Sequence, residues 1–386
     1  MTPDRRTRIL IVDDSAVIRS LLRSVISADA GLEVAGTAAD GASALSSIAL
    51  LRPDLILLDV EMPVMDGLDT LRELRRRGHR MPVIMCSAVT QRGAKVTLEA
   101  LACGASDYVA KPAGQSNREA AMRALANDLG PKIQALTGRD TGPIQAQQPG
   151  SSAWPGVFPR GPQAPMILPN PPSRTQAISS VPAVLAIGVS TGGPAALEVL
   201  LPALPGDFPL PVVIVQHMPE MFTKLFAERL DGRCRLRVRE AVEGEAVRAG
   251  SIWIARGNWH MEVLAGAHPG SPPSLHLSQG PPENHCRPAV DVLFRSVAAV
   301  YRGGALAVVL TGMGSDGMLG CRVIRENGGA VLAQDRATST VWGMPGAVTN
   351  AGLAQRVLPL NDLATEILRL VSRARSEARE LRESAV

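Results

Sequence analysis

Cysteine is scarce and scattered: the five present, Cys86, Cys103, Cys234, Cys286 and Cys321, are odd in number and form no Cys-x-x-Cys pair. That spacing argues against a disulfide framework or a zinc site and fits a reducing compartment. No apolar run approaches the ~18 residues that cross a bilayer. Residues 1–8, MTPDRRTR, lead straight into an apolar strand without a signal-peptide core. The expectation is a soluble, cytoplasmic protein with no membrane insertion. Charge of one sign is also lacking. Forty basic against 36 acidic residues leave a formal +4, a weak signal for nucleic acid. No compact helix-turn-helix with a basic recognition helix is present, so DNA is not an expected partner. There is no internal repeat.

What is present is ample material for burial. At 386 residues, with 46% apolar and 20% charged side chains, the chain is too long for one ordinary core and predicts two domains. The expected division is a first domain over 7–130, a Pro/Gly/Ser-rich linker over 131–181, a second domain over 182–376 and a tail over 377–386. In the first domain RILIVDD, LEVAGTA, DLILLDV, MPVIMCS and ASDYVA each precede a helical pattern, predicting five βα units and a parallel sheet. The character changes over 138–181, where ten of the 30 prolines fall between Pro143 and Pro182. Such a stretch cannot bury enough surface to fold and reads as a semi-extended linker, with Trp154 and Phe158 able to dock locally. From Val181 onward AVLAIGVS, PVVIVQH, SIWIA, ALAVVLTG and GAVLAQ are strand-like, with helical stretches between several of them, a second α/β domain. The closing DLATEILRLVSRARSEARELRE reads as a helix.

Two basic clusters carry a plain reading as solvated faces. Arg72, Arg75, Arg76 and Arg77 end a predicted helix, where cations suit the macrodipole. Arg233, Arg235, Arg237 and Arg239 alternate with apolar residues along a predicted strand, and docking to an acidic protein is the rival reading.

In parallel α/β sheets, functional groups collect at the carboxyl ends of strands. In the first domain those ends carry Asp13 and Asp14, Asp59, Ser87, and Tyr108 to Lys111. Three carboxylates at close quarters need a cation, and an oxygen-rich, water-retaining site suits Mg2+. Phosphoryl transfer to a carboxylate needs that metal together with ammonium and hydroxyl donors. Each residue alone has a duller reading as a solvated acid or helix cap, but five gathered at four strand ends do not.

The stretches LIVDDSAVIR, DLILLDVEMPVMDG, MCSA and YVAKP resemble the receiver domains of two-component response regulators. The resemblance implies a flavodoxin-like (βα)5 fold and Asp59 as phosphoacceptor, with Asp13, Asp14 and Asp59 around Mg2+. It implies that Ser87 and Lys111 contact the phosphoryl group and that Tyr108 reorients on switching. It further implies a cis bond between Lys111 and Pro112.

The second domain opens with VLAIGVSTGGP, a strand running into a glycine-rich turn that holds Ser190. This turn by itself fits phosphate cradling and an exposed serine nucleophile equally well. A serine needs a base and an orienting acid. His217 ends the next strand, on the same expected sheet edge; His260, in IARGNWHMEV, is the rival, while His268, His276 and His285 lie in loop-like sequence. Asp316 lies in TGMGSDG after ALAVVL, and a helix N-cap is its competing reading. GVSTG formally matches the α/β-hydrolase elbow, but no histidine follows His285, so the order Ser190, His217, Asp316 points away from that fold.

IGVSTGGP, VQHMPEMFTKLFAERL, RPAVDVLFRS, LTGMGSDG and AQDRATSTVWGMPGAV resemble the catalytic domain of chemotaxis protein-glutamate methylesterases. Arg256 stands where that family commonly has proline. The resemblance implies a doubly wound α/β catalytic domain that hydrolyses glutamate methyl esters on methyl-accepting chemotaxis receptors and deamidates receptor glutamines. It implies Ser190 as nucleophile, His217 as base and Asp316 as orienter, with Thr191, Gly192, Met313 and Gly314 as oxyanion-hole candidates. A chemotaxis histidine kinase would supply the phosphoryl group. Hydrolysis is expected to need no cofactor. A catalytically silent output domain that only binds receptors is the alternative, disfavoured by the intact Ser190, His217 and Asp316 set.

Overall fold

The computed structural model describes residues 6–88, 90–112, 117–138 and 181–383; the expectations for linker residues 139–180, with Trp154 and Phe158, and for the last three residues lie outside them. The first unit alternates β1 Thr7–Val12, α1 Ala16–Ser27, β2 Leu32–Ala38, α2 Gly41–Leu51, β3 Leu55–Asp59, α3 Gly67–Arg76, β4 Val83–Ser87, α4 Gln91–Ala102, β5 Asp107–Ala110 and α5 Arg118–Thr137. Its five strands are all parallel, in the order β2-β1-β3-β4-β5. Ile9, Leu10, Ile11 and Val12 are all buried, because a sheet with helices on both faces needs apolar residues at consecutive positions. Ser15, Asp40, Asp66, Thr90 and Asn117 each accept a backbone N–H of the first turn of the helix that follows, which sets where α1 to α5 begin. Helix α5 continues to Thr137 and buries Leu129 and Ile133 in the core of this first unit.

The second unit holds β6 Val184–Val189, α6 Gly193–Leu200, β7 Val212–Gln216, α7 Glu220–Asp231, β8 Arg237–Glu240, β9 Ser251–Ile254, β10 His260–Leu264, β11 Ser274–Ser278, α8 Val290–Tyr301, β12 Ala305–Val309, α9 Met318–Glu326, β13 Ala330–Gln334, α10 Met344–Asn350, β14 Arg356–Leu358 and α11 Leu360–Glu383. Seven strands form a parallel sheet in the order β14-β13-β12-β6-β7-β9-β8, with β10 and β11 as a separate antiparallel pair. The winding therefore reverses between β6 and β12, the crevice where open α/β sheets bind ligands. No helix among the described residues is long and apolar enough to cross a membrane.

The two units touch. Helix α4 packs against α6 and α7, and one buried apolar cluster runs from Leu98, Leu101 and Tyr108 into Leu197, Phe222 and Phe226.

The arginines behave as solvated faces. Leu236 and Val238 point inward while Arg237 and Arg239 are exposed, with Arg233 paired to Glu198 and Arg239 to Glu245. One expectation is corrected: the cis X–Pro bond among the described residues is Arg287–Pro288, and Lys111–Pro112 is not cis. Lys111 already points inward, because its N–H bonds the Ser87 carbonyl and extends the β4–β5 ladder.

Candidate functional site

At the β1/β3 switch point of the first sheet, the carboxylate oxygens of Asp13, Asp14 and Asp59 lie within 4.8 Å of one another. Asp13 and Asp59 are buried, whereas Asp14 is exposed at the rim. Lys111 Nζ bridges Asp13 Oδ2 and Asp59 Oδ1, each at 2.7 Å. Burial pushes the Asp59 carboxyl above its usual range, opposed by the Lys111 ammonium and reinforced by Asp13. Burial alone would lower Lys111, but its bonds to Asp13 and Asp59 win and raise it. Ser87 is buried at the adjoining strand end and donates to the Ala88 carbonyl. A hard cation with oxygen donors fits this all-carboxylate set.

In the second sheet, β6 and β7 are neighbours with Val189 opposite Gln216, so Ser190 and His217 leave adjacent strands at the same level. His217 N–H bonds the Val189 carbonyl at 3.1 Å. Gln216, fully sequestered, ties both residues by donating Nε2 to the Ser190 and His217 carbonyls at 3.0 and 3.1 Å. The Ser190 turn needs its glycines. Gly192 has φ +78, and a Cβ there would sit 2.4 Å from Thr340 Oγ1; one on Gly193 would sit 2.0 Å from Gln216 Oε1.

Asp316 follows β12, the other neighbour of β6, and its Oδ2 lies 2.8 Å from His217 Nε2. Asp316 bonds both the His217 ring and the start of α8. Its Oδ2 also accepts Val290 N–H, and its Oδ1 accepts the N–H groups of Asp291 and Gly317 and Nδ2 of Asn284, at 2.7 to 3.0 Å. It thus caps α8, which has no side-chain cap of its own, while holding the histidine ring. Burial raises its carboxyl, but the His217 bond and the α8 amides prevail and hold it below the ordinary range. His217 is 13% exposed. Burial pulls its ring down, yet the bonds to Asp316 and then Cys286 override this and bring it up to about 9.

The rival His260 is a buried structural residue, receiving Ala289 N–H on Nδ1 and placing Nε2 3.1 Å from the Pro281 carbonyl. His276 pairs with Glu243, and His268 and His285 are exposed. Thr191 and Gly192 are buried beside Ser190, and Met313 and Gly314 face them from the turn after β12.

Between the two units runs a cleft of about 1430 Å3 that contains Ser190, His217 and Asp316 on one side and Asp107, Tyr108 and Lys132 on the other. Tyr108 stacks on Phe222 of α7, centroids 4.6 Å apart and planes at 22°. Lys132 donates to the Tyr108 carbonyl at 2.6 Å and stands over its ring. Thr191 Oγ1 donates to Asp107 Oδ2 at 2.6 Å. Gln216, Asn284, Cys286, Asp107 and Phe222 escaped the sequence reading. Asn284 and Cys286 precede the quoted RPAVDVLFRS, and Asp107 sits in ASDYVA, so their segments were visible although their contacts were not.

Two family models match: the response regulator receiver domain over residues 9–123 and CheB methylesterase over 185–367. A protein-glutamate methylesterase/protein-glutamine glutaminase of Trichodesmium erythraeum is 47% identical, covering 94% of this chain and 99% of its own. One from Nocardioides is 48% identical over 95% and 96%. Among solved structures, the Thermotoga maritima CheB methylesterase catalytic domain is 40% identical, covering 49% of this chain and 99% of its own with TM-score 0.48. The response regulator domain of that organism's CheB is 37% identical, covering 35% and 99% with TM-score 0.32. With a receiver fold, a doubly wound α/β domain and relatives matched nearly end to end, the chain belongs to the family of receiver-coupled CheB methylesterases, the protein-glutamate methylesterase/protein-glutamine glutaminases.

Proposed function

We propose that this protein hydrolyses glutamate methyl esters on methyl-accepting chemotaxis receptors in the cytoplasm, and deamidates receptor glutamines with the same groups. The observation that carries the chemistry is the Asp316–His217 pair at 2.8 Å on the sheet edge beside the Ser190 turn. Ser190 Oγ attacks the ester carbonyl, and the His217 nitrogen turned away from Asp316 takes the hydroxyl proton. That proton passes to departing methanol, or to ammonia when the substrate is an amide. Water then attacks the acyl-enzyme, with the same histidine as base, and releases glutamate and free serine. Asp316 holds the ring and stabilises its charged form. Backbone N–H groups of the Thr191–Gly192 and Met313–Gly314 turns receive the oxyanion, worth ~3–4 kcal/mol per donor. Hydrolysis requires no cofactor in this scheme.

The receiver acts as a cover. A histidine kinase phosphorylates Asp59; Asp13, Asp14 and Asp59 would hold Mg2+, which would neutralise charge on the phosphoryl group, while Ser87 and Lys111 contact the phosphoryl oxygens. The new charge biases the Tyr108–Phe222 and Asp107–Thr191 contacts toward release. The linker that follows α5 and leads to the second domain over 182–376 gives room for that movement.

The test is methanol release from methylated receptor membranes by wild type and Ser190→Ala, with and without a small phosphodonor and Mg2+. Release that the phosphodonor raises and Ser190→Ala abolishes is the expected result. Silence of the wild type in every condition, while Asp59 still becomes phosphorylated, sinks the hydrolase reading for these receptors.

A further inference from the structure

The His217 ring has two neighbours, and Asp316 accounts for only one. On the opposite edge, Cys286 Sγ stands 3.6 Å from Nδ1. We propose that His217 Nδ1 and Cys286 Sγ form an open binding site for a thiophilic divalent cation of the Zn2+ class, and that its occupation shuts the hydrolase. The binding claim stands on this geometry alone, whereas the inhibition rests on the proposed role of His217 as base.

Tetrahedral zinc with Zn–S ≈ 2.3 Å and Zn–N ≈ 2.0–2.1 Å places sulfur and nitrogen ~3.6 Å apart, which is the separation of this hydrogen-bonded pair. Asp316 at Nε2 completes the arrangement seen around metal-bound histidines, where a carboxylate takes the other ring N–H and leaves a lone pair for the ion. Asp316 itself stays outside the coordination sphere. Its oxygens already accept from Asn284, Val290, Asp291, Gly317 and His217. The site therefore has two protein ligands, and water from the cleft supplies the rest.

Cys286 is held for the task. Its N–H donates to the Glu283 carbonyl at 2.8 Å, and its own carbonyl accepts Glu283 N–H at 3.0 Å. Next to it, Arg287 is anchored on Asn258 Oδ1 and the Gly280 carbonyl. The main chain at Cys286 is thus pinned beside the cleft, and both ligands line it. On binding, the thiol proton and the Nδ1 proton of the charged ring pass to solvent as the sulfur–metal and nitrogen–metal bonds form, with no change of oxidation state. The ion takes the lone pair that Ser190 activation needs. The scattered cysteines, with no Cys-x-x-Cys pair, gave no sequence signal for such a site. The fold instead joins two residues 69 positions apart.

The experiment titrates Co2+ into the full-length protein and reads the near-ultraviolet thiolate-to-cobalt charge-transfer band. Co2+ on the receiver carboxylates gives no such band, because its donors there are oxygen. The band is expected in wild type, absent in Cys286→Ser, and displaced by Zn2+. In parallel, Zn2+ should inhibit ester hydrolysis, with about a tenfold or larger rise in the half-inhibiting concentration for Cys286→Ser relative to its own uninhibited rate. No band, or a band that survives Cys286→Ser, overturns the site. A band lost in Cys286→Ser while Zn2+ leaves hydrolysis untouched supports the site and instead removes His217 from the role of base.

Discussion

Thr191, next to the candidate nucleophile, donates its hydroxyl to Asp107 of the receiver across the domain boundary, at 2.6 Å and fully buried. The bond joins the first residue of β5, the strand whose far end leads into Lys111, directly to the Ser190 turn. Removing the acceptor should therefore loosen the cover without touching the catalytic groups.

Asp107→Ala is expected to raise ester hydrolysis in the absence of phosphodonor. A buried hydrogen bond to a charged group contributes ~1.5–3 kcal/mol, so the open fraction should grow roughly tenfold to a hundredfold while it remains small. Adding Thr191→Val to Asp107→Ala should give little further gain, since both remove one interaction. A basal rate equal to wild type in Asp107→Ala would show that this bond does not hold the domains together.

Asp316→Ala should act twice. By analogy with other triads, activity should fall by ~10^4-fold. Stability should fall by ~1–2 kcal/mol, because Val290 and Asp291 lose the carboxylate that caps α8. Urea unfolding beside the rate assay separates the two, and an Asp316→Ala protein with wild-type stability refutes the capping role.

The rate should depend on pH through His217. Only the neutral ring serves as base, so kcat/KM should climb from pH 6.5 toward the value of about 9 and then level. The sign for stability is opposite. A ring whose pKa is higher folded than unfolded stabilises fully below the unfolded value of 6.5, and that contribution is lost as pH rises through about 9. The loss amounts to about 3 kcal/mol and should be missing from His217→Gln. NMR titration of the ring checks the pKa directly, and a midpoint near 6.5 would contradict it.

Chelation should divide the two activities. Excess EDTA is expected to abolish the phosphodonor response and leave basal hydrolysis intact, because the carboxylate cluster belongs to the receiver. Asp59→Asn should give the same pattern without EDTA. Basal hydrolysis that collapses on chelation would contradict cofactor-free chemistry.

Gly192→Ala should cost ~1–3 kcal/mol and most of the activity. The residue sits at φ +78, and a Cβ would press on Thr340. Wild-type turnover in Gly192→Ala would refute the need for this backbone geometry.

Much of this was legible beforehand because strand ends are local features. Apolar runs such as RILIV and VLAIGV mark buried parallel strands, and the polar residue after each must emerge at the carboxyl edge. Asp13, Ser190 and His217 could be placed by that rule alone, since β6 and β7 are consecutive in sequence and adjacent in the sheet. The duller fate of the arginine clusters followed from the same periodicity.

Asp316 marks the limit. As a sequence it was a nucleophile's orienter or a helix cap, and it is bonded as both because β12 returns to the far side of β6 and brings α8 beneath its loop. Cys286 against His217 and Asp107 against Thr191 lie 69 and 84 positions apart. Periodicity reports which face of an element is buried, but not which distant element covers it. The amino-acid sequence by itself determined the two parallel α/β units and the polar residues at their strand ends. Only tertiary packing decided which ends share a cleft, since that depends on where the chain reverses its winding and how α4 seats on α6 and α7.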